Sequence, residues 1–515
     1  MPPMMTGKKE AGGWSNLHLL ILALLLALAS CVFHIKNARA GHPVFRDQHL
    51  GTALGYYKGH IDLLRPVIVG FNANGTPTPL EFPVWQGLAA LTFKVMGPWH
   101  GWANVVSLLI FFTCLFPLFC LTKIFVGEHC AWWTLVFFLA QPLVFIYAGN
   151  ASPDGLSIAA AIWFLYCGVK LVRNPGVVWW VLACAAGALA AVSKLPFFMA
   201  AGMVCFFLLA TRHKNSVRAW VALSAVGLVV VAVFFSWTHY SNKCLAQAEL
   251  PLMDLRVSNS ESSFWYFGDL HYRLMPGNWL KGGWRILNSC FGSFALVGLF
   301  LYAFFFIKET VFAKWILLAG FVTTLVFTHL VLHHSHYYLM FTPAFAILCA
   351  QAAGEGEKRL ALAPQWQVNL MWLVVAIVLG LSVVQGLMGM KVVLDFDPYP
   401  YDMAKIIQKY STPSEKILME GGGWGGKEFI LSDRQGLSIW DTKMLENPET
   451  LNRLKTLGYT KLIMVSESPL LTALQQINPG QSKQPRVTYR DFLTPVVKNW
   501  PTEYESDDIL IKDIP

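Results

Sequence analysis

The sequence predicts a polytopic α-helical membrane protein with about eleven spanning helices, followed by a soluble α/β domain at the C-terminus. Of its 515 residues, 55% are hydrophobic and 13% are charged, and the mean hydropathy is +0.48. A water-soluble protein has no core large enough for that much apolar surface, so a bilayer must solvate part of it. Long apolar runs recur to about residue 390, where the charge density rises.

The charges and cysteines argue against two other classes of protein. The net charge is +9, but Lys and Arg are scattered among apolar runs without a basic stripe, which is not typical of nucleic-acid binding. The ten cysteines fall mostly inside apolar runs, with no C-x-x-C pair and none after Lys391. Neither a disulfide framework nor a thiolate metal site is therefore expected.

A membrane span needs about 20 apolar residues at a rise of about 1.5 Å each. The predicted spans are 15–34, 101–122, 130–148, 154–172, 176–193, 196–211, 217–237, 287–307, 313–331, 337–353 and 367–389. The first follows Lys8 and Lys9 as a signal peptide would, but no small-residue cleavage site follows it, so we predict an uncleaved span. Two long polar loops separate the spans, at 35–100 and 238–286, and the first contains a short amphipathic segment at 84–96.

The distribution of basic residues predicts the orientation. With a cytoplasmic N-terminus, the short inner links carry Lys123, Lys170, Arg173, Arg212, Lys214, Arg218, Lys308, Lys314, Lys358 and Arg359. The short outer links at 149–153 and 332–336 carry no Lys or Arg, and the link at 193–196 carries only Lys194. This positive-inside pattern predicts that both polar loops and the tail lie outside the cytoplasm.

The tail, residues 391–515, alternates helix-like and strand-like runs. Helices are predicted at Asp402–Tyr410 and Pro448–Leu457, and strands at Lys416–Met419, Lys461–Val465 and Ile509–Ile511. The run Gly421–Lys427 superficially resembles a phosphate loop, but Glu428 stands where that motif needs Ser or Thr. We expect a flexible loop there.

Three acidic residues lie on the predicted outer face. Asp47 follows the first span closely, where a carboxylate would take a proton from an acceptor hydroxyl. Glu81 lies among apolar neighbours in a proline-rich approach to 84–96, and Asp154 opens the fourth span. Each also has an ordinary interpretation: a solvated loop aspartate for Asp47, a helix-entry cap for Glu81 and a Ser-Pro-Asp helix start for Asp154.

Two basic features lie on the same predicted face. Lys194 stands alone at an otherwise neutral turn, where it would bind a phosphate by charge together with basic residues of the loops. The run His333–Tyr338 opens the tenth span. Its histidines suit phosphate or metal, although three histidines within four residues share one helical face poorly, which disfavours a metal site.

The order of these features over residues 15–350 resembles the GT-C membrane glycosyltransferases, and among them the protein O-mannosyltransferase and aminoarabinose-transferase branch. The run Thr78–Trp85, after the aromatic pair Tyr56-Tyr57, resembles the family's K-P-P-L-x-x-W loop, although the usual Lys position is not basic. Ser193-Lys194 resembles its S-K motif. His336–Leu339 resembles its basic-Tyr-Leu motif, with His336 replacing the commoner Arg.

The resemblance implies a polyprenyl-phosphate sugar donor, a glycolipid, polysaccharide or protein acceptor, and a site on the outer face of a bacterial inner membrane. Asp47 stands where the family keeps its catalytic aspartate and would act as the general base of an inverting transfer, with Glu81 and Asp154 completing the catalytic acids. Expected substrate and phosphate contacts are Lys194, His336, Tyr337, Arg65 and Tyr57. No cofactor or metal is expected, because the lipid phosphate already carries its negative charge.

Two other functional classes stay open. A transporter or flippase of a lipid-linked glycan would place ionisable residues deep within several spans, and the sequence has few there. A non-catalytic membrane scaffold would use the tail to bind a partner. Nothing in the tail decides whether it covers the site or selects an acceptor.

Overall fold

The computed structural model describes residues 15–36, 47–70, 77–247, 260–308, 310–360, 363–394, 399–420, 427–439, 442–467 and 486–515. Within these ranges a helical bundle precedes a small α/β domain. The helices before the sheet are α1 Asn16–Lys36, α2 Asp47–Lys58, α3 Val84–Met96, α4 His100–Phe112, α5 Leu115–Phe125, α6 Glu128–Ala140, α7 Pro142–Ala148, α8 Asp154–Arg173, α9 Val177–Arg212, α10 Val217–Ala246, α11 Ser260–Phe267, α12 Leu270–Leu274, α13 Pro276–Phe291, α14 Phe294–Phe306, α15 Val311–Val326, α16 Thr328–His333, a 3₁₀ helix Ser335–Phe341, α17 Thr342–Leu360, α18 Gln365–Leu394 and α19 Tyr399–Tyr410.

The predicted membrane architecture is confirmed. Among the described residues, seven helices are long and apolar enough to cross a bilayer, or up to nine if each of two bent helix pairs counts as one span. The predicted figure of about eleven further requires that α9 crosses twice and that the 16-residue α15 crosses once. Each predicted span overlaps one or two of the helices given above.

Helix α9 consists of two arms that fold back towards each other at Lys194, whose backbone leaves the helical region at φ −156° and ψ 98°. A methyl group added to Gly187 on the first arm would lie 2.9 Å from the Phe164 ring of α8, and one added to Gly202 on the second arm would lie 3.9 Å from the same ring. Two residues fifteen positions apart along one straight helix would be about 22 Å apart, so they could not both reach that ring. The two predicted spans at 176–193 and 196–211 are these arms.

The predicted span at 287–307 differs from the structure. The chain turns by 103° between α13 and α14, at Gly292, which has a left-handed φ of 67°. Leu280, Trp284 and Leu287 form an exposed apolar stripe along α13, as in helices that lie in a membrane interface. The turn falls at Gly292-Ser293, a pair that favours turns, and the Ser293 side chain caps the start of α14. The apolar residues on both sides of this pair are why one straight span was expected.

Helices α8 and α17 form the centre of the bundle. In an apolar 18-residue stretch of each, counting the 3₁₀ helix with α17, 89% and 100% of the residues are buried. In the corresponding stretches of α1, α10 and α18, only 22%, 17% and 22% of the residues are buried. Their exposed faces are apolar, which is the arrangement expected where lipid rather than water covers the surface.

The C-terminal domain contains a five-stranded sheet of order β2-β1-β3-β5-β4. Its strands are β1 Lys416–Glu420, β2 Gln435–Ile439, β3 Tyr459–Val465, β4 Thr502–Glu505 and β5 Ile509–Asp513, and its helices after α19 are α20 Lys427–Ser432, α21 Pro448–Thr456 and α22 Pro495–Lys498. Strands β1 to β3 pair in parallel, whereas β5 pairs antiparallel with β3 and β4. The predicted α/β domain is confirmed, although β2 and β4 were not anticipated. The predicted flexible loop at 421–426 lies outside the described residues.

Candidate active site

A buried lysine joins two of the predicted acidic residues at one end of the bundle. Lys194 Nζ lies 2.8 Å from Glu81 Oε1 and 3.2 Å from Asp154 Oδ1, and its side chain is 1% exposed. A buried ammonium of this kind is tolerated only with close anionic partners. We call this end of the bundle the site end, and Glu81, Asp154, Lys194, His49 and His336 the site cluster.

The position of Lys194 follows from a proline two residues later. Pro196 has no N–H, so it cannot donate to the Val192 carbonyl as a helical residue would. That carbonyl instead accepts a hydrogen bond of 3.0 Å from the backbone N–H of Phe82. The break in α9 thus both releases Lys194 from helical geometry and attaches the segment next to Glu81.

Two aromatic residues of α10 hold the loop that carries Glu81. Trp237 Nε1 donates to the Leu80 carbonyl at 3.1 Å, and the Trp237 ring lies edge-on to Phe82 at 4.8 Å between centroids. The hydroxyl of Tyr240 donates to the Leu64 carbonyl at 2.6 Å. The proline-rich loop is therefore anchored to α9 and α10 at Leu80 and Phe82, and Tyr240 attaches the segment after α2 to α10.

Helix α2 adds a histidine to the other side of Glu81. His49 Nε2 lies 3.4 Å from Glu81 Oε2, and its Nδ1 lies 3.0 Å from the side-chain amide nitrogen of Gln86 on α3. If that amide donates, Nδ1 is the acceptor and Nε2 carries the hydrogen towards Glu81. His49 is 5% exposed.

Asp154 is held from two directions at the start of α8. The hydroxyl of Ser152 donates to Asp154 Oδ2 at 2.9 Å, and His336 Nε2 lies 3.9 Å from Asp154 Oδ1. Next to His336, the ring of Tyr337 lies 5.4 Å from Lys194 Nζ. The cation–π contact gives Lys194 a third stabilising neighbour.

Not all predicted site residues meet in this cluster. Helix α2 begins at Asp47, two residues before His49, but the Asp47 side chain lies outside the described ones, so its role as base stays a prediction. Tyr57 is half-buried and lies edge-on to Phe93, between α2 and α3. Arg65 is exposed on the loop after α2, and among the described contacts none joins it to the cluster.

The structure also brings in residues that sequence reasoning missed. His49 and Ser152 contact Glu81 and Asp154 directly. A chain of aromatic side chains leads away from His336, with ring centroids 5.3 Å apart for His334–His336 and 5.4 Å apart for Trp265–His334. Ser152 could have been suspected from the A-S-P-D motif, whereas nothing local distinguished His49 or Trp265.

Lys194 lies between two carboxylates, at the position that a cation bridging Glu81 and Asp154 would occupy. Its Nζ contacts an oxygen of both Glu81 and Asp154, so a divalent cation would displace it. Over the part of the chain that the structure describes, no group of three or more His, Cys, Asp or Glu residues is arranged to hold a metal ion.

An apolar cavity lies beside the second arm of α9, below the site cluster. Phe197, Ala201 and Val204 line it from α9, together with Ile158 and Ile162 of α8 and with Met340. Phe197 also stacks on Tyr337 at 5.8 Å between ring centroids. The cavity therefore shares one wall with the site end and continues into the apolar bundle.

The fold is similar to that of several solved membrane proteins. ArnT from Cupriavidus metallidurans bound to undecaprenyl phosphate matches with a TM-score of 0.60 and 13% identity, over 96% of this chain and 98% of that chain. The Archaeoglobus fulgidus oligosaccharyltransferase in its apo form matches with a TM-score of 0.56 and 11% identity, over 87% and 69%. The arabinofuranosyltransferase AftD from Mycobacteria matches with a TM-score of 0.56 and 12% identity, over 98% and 40%.

The fold is therefore that of a polytopic membrane protein with the GT-C architecture. A sequence profile of the dolichyl-phosphate-mannose-protein mannosyltransferase family matches residues 78–237, which include Glu81, Asp154 and Lys194. The resemblance to GT-C membrane glycosyltransferases is thus confirmed. A search of curated protein sequences finds no match.

Proposed function

We propose that this protein is a glycosyltransferase that moves a sugar from a polyprenyl-phosphate donor to an acceptor hydroxyl with inversion. The observation that carries the proposal is the buried Lys194, held between Glu81 and Asp154 in a chain of GT-C fold. The apolar cavity beside it suits part of an isoprenoid tail. Undecaprenyl phosphate bound to the similar ArnT supports a lipid-phosphate donor.

In the proposed reaction, the bond between the anomeric carbon and the phosphate oxygen breaks, and its electron pair stays on the phosphate. The acceptor oxygen forms the new bond to that carbon from the opposite face and loses its proton. Asp47, at the start of α2, is proposed to take this proton. No external oxidant or nucleotide is needed.

Lys194 and His336 are proposed to stabilise the leaving phosphate as its negative charge grows. Glu81 and Asp154 keep Lys194 charged and in place despite its burial. These two acids therefore act on the lysine rather than as bases. Because the ammonium of Lys194 supplies positive charge where a metal would otherwise lie, we propose that transfer needs no divalent cation.

The acceptor and the membrane side are also proposals. The positive-inside pattern of the sequence supports an N-terminus in the cytoplasm and a site end on the outer face of a bacterial inner membrane. The acceptor there is a glycolipid, a polysaccharide or a protein that presents a hydroxyl.

The experiment is transfer by purified protein in nanodiscs. Polyprenyl phosphates carrying labelled hexose, pentose or aminopentose are offered with membrane lipids, glycans or hydroxyl-containing peptides, and both labelled product and released polyprenyl phosphate are measured. We expect release for at least one donor, unchanged by EDTA. Movement of an intact lipid-linked sugar between leaflets of liposomes, without release of polyprenyl phosphate, would favour the transporter and overturn the proposal.

A further inference from the structure

The C-terminal domain lies directly on α2, the helix whose first turn reaches the site. A methyl group added to Gly51 would be 2.8 Å from Ile430 Cδ1 and 3.6 Å from Val69 Cγ2. Ile430 belongs to α20 of the C-terminal domain. The described part of that domain has two apolar clusters, and Val69 packs against the one that contains Phe429. The absence of a side chain at Gly51 is what allows α20 to approach α2 this closely.

The first polar loop also joins the sheet of the C-terminal domain through its backbone. Gly70 forms a parallel bridge with Leu437 on the edge strand β2, and the Ser438 N–H donates to the Gly70 carbonyl at 2.6 Å. Lys58, the last residue of α2, forms an ion pair with Asp433. Both side chains of that pair are more than half exposed, so it contributes little, and the apolar and backbone contacts dominate.

The opposite side of α2 packs against the membrane domain. Leu50 and Ala53 are buried in one cluster with Trp85 and Ala89 of α3. Helix α2 is therefore enclosed between α3 and the C-terminal domain. Its first turn carries Asp47 and then the buried Gln48 and His49, of which His49 contacts Glu81.

We propose that the C-terminal domain clamps α2 and thereby positions its first turn, with Asp47 and His49, against Glu81 and the rest of the site cluster. Ile430 is the positioning residue at the centre of the clamp. A displacement of about 1 Å in a reacting group can lower a rate by about 100-fold, so a contact two residues from His49 is close enough to matter. The inference rests on the proposed transferase function for its kinetic consequence, but not for the contact itself.

Compensation between two substitutions tests the contact. Gly51→Ala improves helix propensity but crowds Ile430, so we expect kcat to fall about 10-fold. The KM for the donor should not change, because the proposed phosphate contacts Lys194 and His336 lie on other elements. Ile430→Val removes Cδ1, the atom nearest Gly51. The double variant Gly51→Ala/Ile430→Val should recover most of kcat. Equal losses in the single and double variants would contradict the clamp.

A matched control separates positioning from general stability. Val497 is fully buried in the other apolar cluster of the C-terminal domain, away from α2. Val497→Ala should lower the melting temperature of that domain and leave kcat near the wild-type value, whereas Ile430→Ala should lower kcat. If both variants lower kcat equally, Ile430 has only a structural role.

Hydrogen exchange gives a measurement that needs no catalysis. Ile430→Ala should accelerate amide exchange across residues 47–58, and Val497→Ala should not. If amide exchange in α2 is slow and depends on Ile430 in a protein that transfers no sugar, the clamp is supported and the proposed function is contradicted. Exchange in α2 that is unaffected by Ile430→Ala would overturn the clamp, whatever the activity.

Discussion

Lys194 shows at the scale of one residue how burial defines a role. The sequence predicted a lysine that binds phosphate, and the structure places it between two carboxylates with almost no exposure. An ammonium buried at such a position without anionic partners would be strongly destabilising, because it loses its hydration. The two carboxylates therefore stabilise a positive charge at this position, which the proposed chemistry requires.

Replacing Lys194 should damage both activity and stability. Lys194→Met removes the shared partner of Glu81 and Asp154 and leaves two acids close together, which should cost about 3–5 kcal/mol of stability. We expect kcat/KM to fall at least about 100-fold. Transfer assays and thermal unfolding in detergent measure both effects. Lys123→Met, which breaks a half-exposed ion pair with Glu128, should change neither, and a fully active Lys194→Met protein would refute the assignment.

His336 tests whether positive charge is what this position supplies. His336→Arg places a permanently charged group near Asp154 and introduces the residue commoner in the resembling family, so we expect at least about a third of wild-type kcat/KM. His336→Ala removes the imidazole and should lose about 10–100-fold. Initial rates at saturating and limiting donor separate kcat from KM. If the alanine variant is the more active of the two, His336 has another role.

Sequence reasoning identified the charged residues of the site better than their partners. Glu81, Asp154 and Lys194 were recognised because a charge beside an apolar run is costly and therefore informative. His49 escaped because a histidine in a polar loop is ordinary, and its contact with Glu81 joins residues 32 positions apart. Tyr57 was included for its motif, yet its ring packs against Phe93.

At the scale of elements, the turn inside α9 depends on the missing N–H of Pro196. Pro196→Ala would restore a donor for the Val192 carbonyl, in competition with Phe82. We expect the turn to become more helical, Lys194 to move, and kcat/KM to fall about 10-fold or more. Pro495→Ala is the control, since Pro495 occupies the first turn of α22, where the missing N–H costs nothing. Equal activity of the two variants would show that the proline is not what sets the turn.

The turn between α13 and α14 should depend on Gly292 just as the turn in α9 depends on Pro196. Gly292 has φ 67°, and a methyl group there would lie 2.8 Å from Pro142 Cγ and 2.9 Å from Ser382 Oγ. Gly292→Ala should therefore lower stability by about 1–3 kcal/mol. Gly298→Ala, in the middle of α14 with open space around it, should be neutral or slightly stabilising. Thermal unfolding of the two variants side by side makes the comparison, and a neutral Gly292→Ala would contradict the strained corner.

Apolar runs predicted the helices of this fold well, because any long enough run must become helical in a bilayer. They did not predict where the helices bend. The break of 73° after Ala140 falls at Gln141-Pro142, and the break of 103° after Phe291 falls at Gly292-Ser293. Each pair is a local helix-breaking signal inside a longer apolar run, and the run alone was read as one straight span. Strand β4, with the sequence TEYE, was missed because an edge strand has no need of alternating apolar residues.

At the scale of the whole molecule, the charges are separated along the bundle. Helix α8 runs from Asp154 at the site end to Lys170 and Arg173 in its last turn, and α17 ends with Lys358 and Arg359. Twenty helical residues span about 30 Å, the thickness of the hydrocarbon core. The basic ends of these helices thus lie about one membrane thickness from the site cluster, which is the arrangement that the positive-inside rule predicts for the proposed orientation.

Chemical labelling tests this orientation for the entire chain. Lys455 on α21 and Lys358 on α17 are both exposed, whereas all ten native cysteines are buried or half-buried. In intact cells, a membrane-impermeant maleimide should label Lys455→Cys strongly and Lys358→Cys only after the membrane is permeabilised, with the wild-type chain as background. The reverse pattern would place the site end and the C-terminal domain in the cytoplasm. On the cytoplasmic side, a lipid-linked sugar would compete with nucleotide sugars and would meet different acceptors. The reverse pattern would therefore also remove the main support for the proposed outer-face acceptors.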